Sequence, residues 1–179
     1  MAGQRLTDKT ALDQQTGSGD LFMVVDVNDT TGSSAGTSKK IDSKFVIQTD
    51  KISLSNADVL DLDSDERTLV GALSGYMITP IVATVLCTYA SGTETSRNNL
   101  LFGFDDSSDI SYAMRIQSIM DSKTANFTYH TSPAAASGNN GSYSASTINK
   151  PLVVWAASTG FNGGWSCDIY ITYCYTKVL

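Results

Sequence analysis

Of the patterns in this sequence, aspartates at alternate positions most resemble a metal-binding motif. In residues 61–65, three aspartates have the spacing at which the oxygens of a calcium-binding loop converge on one ion. That loop also needs a glycine at its sixth position and a glutamate at its twelfth, but Glu66 and Ala72 stand there. We therefore predict a solvated acidic turn and no metal ligand. We predict the same for a second acidic cluster, a solvated loop formed by Asp105, Asp106 and Asp109.

Nucleophilic catalysis would depend on His130, the only histidine in the chain. It precedes residues 131–133, a Thr-Ser-Pro turn, which predicts a histidine at the rim of a strand rather than a general base. In residues 71–75 the serine lies one position too late for a nucleophile elbow, and no phosphate-binding loop occurs. We expect no enzyme and no cofactor. The sequence neither predicts nor excludes a pair of carboxylates for glycoside cleavage, because the distance between two carboxylates is set only by the fold.

The three cysteines, Cys87, Cys167 and Cys174, match neither a disulfide framework nor a zinc site. Their number is odd, which predicts reduced thiols. Cys167 and Cys174 lie an odd number of positions apart on one predicted strand, so they point to opposite faces and do not bridge each other. We place Cys167 in the core and Cys174 on the outer face.

The aromatic residues near the C-terminus allow two interpretations. In the first, Trp155 and Trp165 lie in the core. The same interpretation leaves Phe161 and Tyr170 for a subunit interface. In the second, Tyr143 and Phe161 lie in ligand-facing loops and stack on a host-surface glycan. One sequence does not separate the two.

Composition limits the class of partner. The formal charge is -6, from 12 Lys and Arg against 18 Asp and Glu, which makes a nucleic-acid phosphate backbone an unfavourable partner. No apolar run approaches the length of a membrane span, and the first residues lack the pattern of a signal peptide. We therefore expect one main domain, synthesis in a cytoplasm, no membrane insertion and no nucleic-acid binding.

The C-terminal stretch carries the strongest structural signal. Trp165–Tyr175 alternates an apolar face with a polar one, and Leu152–Ala156 is a short apolar run, so both are predicted strands. Asn162 and Gly163 stand between them and can supply a tight turn, which predicts an antiparallel hairpin. We expect the run Ile78–Tyr89 to provide the sheet that faces the hairpin.

Further short apolar runs separated by Gly, Ser, Asn and Asp predict about seven or eight strands in the main domain. Residues 112–120 fit strand spacing better than helix spacing, although both remain possible. The predicted fold is all-β, an antiparallel, jelly-roll-like β-sandwich with an extended N-terminal attachment arm. Its predicted domains are the arm and docking segment at 1–50 and the sandwich at 51–179.

The N-terminal segment cannot bury much apolar surface by itself. Residues 1–20 are a polar arm, Leu21–Val27 is a compact strand, and residues 28–37 form a loop. Ser38–Ile41 is predicted to be a second strand that runs back along the first, and a short helix capped by Asp42 follows it. We predict that this segment docks on a neighbour through its apolar residues. They are Leu21, Phe22, Val24, Val25, Val27, Ile41, Phe45 and Val46.

This order of motifs resembles the N-terminal attachment module of tailed-bacteriophage virion proteins. The resemblance rests on Leu6-Thr7-Asp8, the run Asp20–Thr30, the small-residue loop and Gly36–Ile41. The C-terminal half, from Lys150-Pro151-Leu152 to Ile169–Tyr173, is similar to the small β-sandwich at the distal end of such proteins. The resemblance implies a non-enzymatic, usually trimeric virion component whose N-terminus docks on the particle.

The expected function is therefore a structural role in a phage virion, as a fibre, tail or head decoration protein. The expected partners are two further copies of the chain and other virion proteins. The expected location is the virion, after synthesis in the host bacterial cytoplasm. The alternative is a receptor-recognition module that binds a host-surface glycan.

Overall fold

The structure of this protein is a computed structural model in which the chain forms two compact units, Met1–Lys44 and Phe45–Leu179. It describes residues 21–32, 34–104, 112–132, 147–157 and 159–178. The predicted domain boundary at residue 50 falls inside the first strand of the second unit, Gln48–Leu54.

The first unit contains a two-stranded antiparallel hairpin. Strand β1 (Leu21–Asp26) pairs with β2 (Thr37–Asp42), and a short 3-10 helix follows at Ser43–Phe45, where the sequence predicted a short helix. Gly36 enters β2 with a φ of 112°, and a Cβ there would lie 2.7 Å from the carbonyl oxygen of Asp26. Only glycine fits that position.

The second unit is a sandwich of two four-stranded antiparallel sheets among the described residues. Its strands are β3 (Gln48–Leu54), β4 (Arg67–Val70), β5 (Tyr76–Ser91), β6 (Leu100–Gly103), β7 (Tyr112–Ile116), β8 (Phe127–Thr131), β9 (Leu152–Ala156) and β10 (Gly164–Lys177). One sheet has the order β3-β10-β5-β8 and the other β4-β9-β6-β7. This confirms the predicted all-β fold and its antiparallel β-sandwich.

A short helix, α1 (Asn56–Leu60), connects β3 to β4. Ser55 caps it, because its hydroxyl accepts from the Asp58 N–H while the Asp58 carboxylate accepts from the Ser55 N–H. Val59 is fully buried, so the helix contributes one anchor to the core.

Strand β5 is central, as predicted, and lies between β10 and β8. A bulge opposite Thr172 and Tyr173 accommodates Pro80, which cannot donate to the sheet ladder. The bulge also reverses the faces of the strand. Ile78 is buried before it and Ala83 after it, while Ile81 is 37% exposed.

The predicted hairpin of β9 and β10 is wrong. Each strand belongs to a different sheet, so the chain crosses from one sheet to the other between them. The N–H groups of Asn162 and Gly163 do not close a hairpin turn but donate to the Glu94 carboxylate at 2.8 and 2.9 Å. The expected role of Ile78–Tyr89 is also wrong, because β5 pairs beside β10 and the sheet that contains β9 faces them.

The core lies between the two sheets and is built from alternating residues. In β10 the predicted apolar face is confirmed, with Trp165, Cys167, Ile169 and Ile171 all buried. The tryptophan ring packs against Phe127, with ring centroids 5.1 Å apart.

Residues 112–120 begin as a strand, which favours the first of the two predictions for this segment. β7 ends at Ile116, and turn residues 117–120 follow it. Ser118 and Met120 both have positive φ, which no regular helix contains. The strand is buried on the predicted face at Met114, and Ala113 on the other face is buried too.

Candidate docking surface

Strand β1 and the residue after it, Val27, expose apolar side chains on both faces of the strand. The exposed fractions are 38% for Phe22, 67% for Met23, 42% for Val24, 56% for Val25 and 69% for Val27. Scattered apolar residues on a protein surface need no explanation, but a contiguous patch marks an interaction site. The strand predicted from this run exists, but it is not buried within the chain.

Both strands of the hairpin have an outer edge that no third strand covers among the described residues. The two edges differ in chemistry. β2 carries Lys39 and Lys40, and lysines on an edge strand oppose the addition of another strand. The β1 residues from Leu21 to Val25 carry no charge. The outer edge of β1 is therefore the one suited to pairing with another chain.

Polar contacts at the far end of the hairpin hold its loop. Lys39 forms an ion pair with Asp29 at 2.5 Å, and the Asp29 carboxylate also accepts from the Thr31 hydroxyl at 2.6 Å and its N–H at 3.1 Å. The ion pair with Lys39, followed by these hydrogen bonds, lowers the pKa of Asp29 to about 2. The loop therefore holds β2 against β1 while leaving the apolar side chains of β1 uncovered.

The remaining predicted docking residues are less exposed. Ile41 lies opposite Phe22 in the hairpin and is half-buried. Phe45 belongs to the second unit, where its ring stacks on Tyr76 with centroids 5.4 Å apart, and Val46 is half-buried beside it. The side chain of Leu21 lies outside the described residues. The exposed apolar residues are therefore 22–25 and 27, a set that leaves out residues 41, 45 and 46 of the prediction and adds Met23.

Phe161 is not a ligand-facing residue, and this corrects the sequence prediction. Its side chain is 5% exposed and belongs to the core cluster between the sheets. The crossover between β9 and β10 carries the ring inward, which a surface turn would not do. Tyr143, the other residue predicted to face a ligand, lies outside the described residues.

The acidic turn after α1 is held by side-chain contacts. Arg67 forms ion pairs with Asp58, at 3.1 Å, and with Asp65. Asp63 lies against Gly160, where a Cβ would meet its carboxylate carbon at 2.9 Å. In the part of the chain that the structure describes, no three side chains of His, Cys, Asp or Glu come together. The second acidic cluster, at 105–109, lies outside that part.

His130 lies exposed on the outer face of its sheet, next to Thr84 on the neighbouring strand. Its Nδ1 atom is 2.9 Å from the threonine Oγ1 atom. The prediction placed it at the rim of a strand, and the structure places it within β8 near its end.

Within the described ranges, no helix is long and apolar enough to cross a membrane.

Glu94 is a buried carboxylate that the sequence did not single out. It is 0% exposed, and its oxygens accept from the N–H groups of Ser96, Asn162 and Gly163 and from the Ser96 hydroxyl. Burial raises its pKa, but these hydrogen bonds outweigh burial and the net pKa is lowered. No local pattern marks this residue, because two of its four donors lie on the distant crossover.

The cysteines form a pair that the sequence also did not indicate. Cys87 and Cys167 are direct partners on β5 and β10, and their sulfur atoms lie 3.6 Å apart. Both are buried free thiols, while Cys174 is half-buried. The predicted placement of Cys167 inside is therefore confirmed.

No family model matches this chain, and no curated protein matches it. A solved structure, the capsid asymmetric unit of cyanophage Pam1, aligns with 98% of this chain and 99% of its own, at 11% identity and a TM-score of 0.34. A likeness at that score carries no argument about function.

Proposed function

We propose that this chain is a non-enzymatic structural component of a tailed-phage virion that docks on the particle through β1. The observation that carries the proposal is the exposed apolar strand with an uncharged, unpaired edge. A two-stranded hairpin is only marginally stable in water, and an apolar strand at its edge gains most by completing a neighbour's sheet. The motif order in residues 6–41 supports the same role.

We propose that the sandwich is displayed on the surface of the particle. Jelly rolls of eight strands serve capsid proteins and lectins alike, so the architecture supports a virion role by analogy only. Docking through β1 would bury Met23, Val25 and Val27, whose exposure is otherwise unfavourable.

The docking proposal is tested by placing a charge on the strand. Met23→Asp and Val25→Asp should leave the fold intact, since both side chains are exposed, but should abolish incorporation into particles. The measurement is the copy number of the chain per purified particle by quantitative mass spectrometry. The matched control is Leu60→Asp, at an apolar residue of α1 that is 37% exposed. Normal incorporation of both β1 variants would overturn docking through this strand.

The proposed homotrimer follows from the resemblance and has its own test. Light scattering of the purified protein should give the mass of three chains of 19.1 kDa. A mass of one chain at micromolar concentration would contradict the trimer while leaving docking through β1 open to the particle experiment.

A further inference from the structure

Two thiols lie side by side on neighbouring strands of one sheet, 80 residues apart in sequence. Cys87 on β5 is the direct cross-strand partner of Cys167 on β10. Their side chains are 2% and 4% exposed and point into the core between the sheets. Cys174 lies on the other face of β10 and cannot reach either of them.

We propose that Cys87 and Cys167 close into a disulfide that joins β5 to β10 when the protein meets a low-molecular-weight disulfide such as oxidised glutathione. Directly opposed residues of an antiparallel pair have Cα atoms about 4.5 or 5.5 Å apart, and disulfides form within about 4.4 to 6.8 Å. The sulfur atoms need to approach by only about 1.5 Å to reach bonding distance, which side-chain rotation supplies. The backbone is already in place.

The reaction balances as two thiol–disulfide exchanges. The thiolate of one cysteine attacks oxidised glutathione, forms a mixed disulfide and releases one glutathione thiolate. The second cysteine, as thiolate, then attacks the protein sulfur of that mixed disulfide and releases the second glutathione. The two protein thiols are oxidised, one glutathione disulfide is reduced, and the two protons end on the glutathione thiols.

Burial controls the rate of this exchange. The neighbouring Cys167 thiol and burial raise the pKa of Cys87, so little thiolate is present in the closed sandwich. A large oxidant cannot reach either sulfur until β5 and β10 separate. Closure is therefore slow in the native protein and fast during refolding.

Folding and the disulfide are linked thermodynamically. The factor by which the disulfide raises the equilibrium constant for folding is also the factor by which folding raises the equilibrium constant for forming the disulfide. A disulfide that closes a long loop typically raises the equilibrium constant for folding about 30-fold to 1000-fold. The equilibrium constant for oxidation by glutathione should therefore be larger by that factor in the folded chain than in denaturant.

The test is an equilibrium titration of the full chain. The protein is unfolded, refolded in buffers of varied glutathione ratio, acid-quenched and alkylated. Peptide mapping then measures the fraction that carries the Cys87–Cys167 link, with a mass lower by two hydrogen atoms. The titration is repeated in denaturant, and Cys174→Ser removes the third thiol as a matched background. Cys87→Ser should show no such link.

A preference of the folded chain for the linked form, about 30-fold or more, supports the proposal. Equal constants in the folded and unfolded chain would overturn it. Free, alkylated Cys87 and Cys167 after refolding in oxidised glutathione would overturn it as well, as would a link through Cys174 in their place.

Discussion

Glu94 shows how much of this fold depends on one side chain. Four donors surround a carboxylate that solvent does not reach, and two of them are the N–H groups of Asn162 and Gly163 on the crossover. A carboxylate accepts hydrogen bonds with both oxygens, so it can hold this turn where a neutral amide cannot. The crossover between the sheets is therefore anchored by an acid 68 residues away from it.

Replacing that carboxylate should destabilise the sandwich. In Glu94→Gln an NH2 group faces backbone donors, so at least one buried N–H loses its acceptor, and we expect a loss of about 1–3 kcal/mol in the free energy of unfolding. Urea unfolding measures it. The matched control is Asp61→Asn, at an exposed acidic residue, which should change stability by less than about 0.5 kcal/mol. Equal stability of both variants would contradict the anchoring role.

The same residue should make stability depend on pH. The folded pKa of Glu94 lies below the ordinary glutamate value of 4.5, so the unfolded chain binds its proton first as pH falls. The stabilisation is fully present above the unfolded pKa and is lost as pH falls through the folded pKa. The difference in free energy of unfolding between the wild type and Glu94→Gln should therefore shrink below about pH 4.5. Denaturant titrations at several pH values test this. A difference that stays constant to pH 3 would be inconsistent with an ionised Glu94 in the fold.

At the scale of elements, the backbones of β5 and β10 come very close together at the start of β10. A Cβ at Gly164 would overlap the carbonyl oxygen of Ser91, where β5 and β10 meet at a register shift. The apolar alternation of β10 is set by local sequence, but its register depends on this close approach.

Adding a methyl group at that point should be costly. Gly164→Ala forces the backbones of β5 and β10 apart, and we expect a loss of about 1–3 kcal/mol or more in the free energy of unfolding. The chain offers a matched control in Gly71, where a Cβ meets nothing within 4 Å. Gly71→Ala should be neutral or stabilising by about 0.4–1 kcal/mol. Thermal unfolding of both variants distinguishes the close approach from a general effect of losing glycine.

At the scale of the whole molecule, the core belongs to the second unit. Every residue of the main core cluster lies between Leu54 and Tyr173, and the hairpin contributes none. The hairpin is instead the part that presents apolar side chains to solvent.

The second unit should therefore fold without the first. A chain of residues 45–179 should unfold in one cooperative transition by circular dichroism, because β3 to β10 and their core are complete within it. Loss of that transition, with binding of a dye specific for exposed apolar surface, would show that the first unit is required for the fold.

The sequence by itself determined the strands, because the alternation that marks them is local. The faces of β10, the central place of β5 and the sandwich class follow from patterns within each run of residues. Strand β1 was also predicted from its composition, whereas Phe45 and Val46, which were grouped with it, are half-buried.

Only the tertiary structure decided which strands are neighbours. An Asn-Gly turn between two strands has the same local appearance whether it closes a hairpin or ends a crossover, so β9 and β10 were paired wrongly. The burial of Phe161, the anchoring by Glu94 and the pairing of Cys87 with Cys167 all depend on contacts between residues far apart in the chain. Such contacts are fixed by the packing of the two sheets, and no short stretch of sequence contains that information.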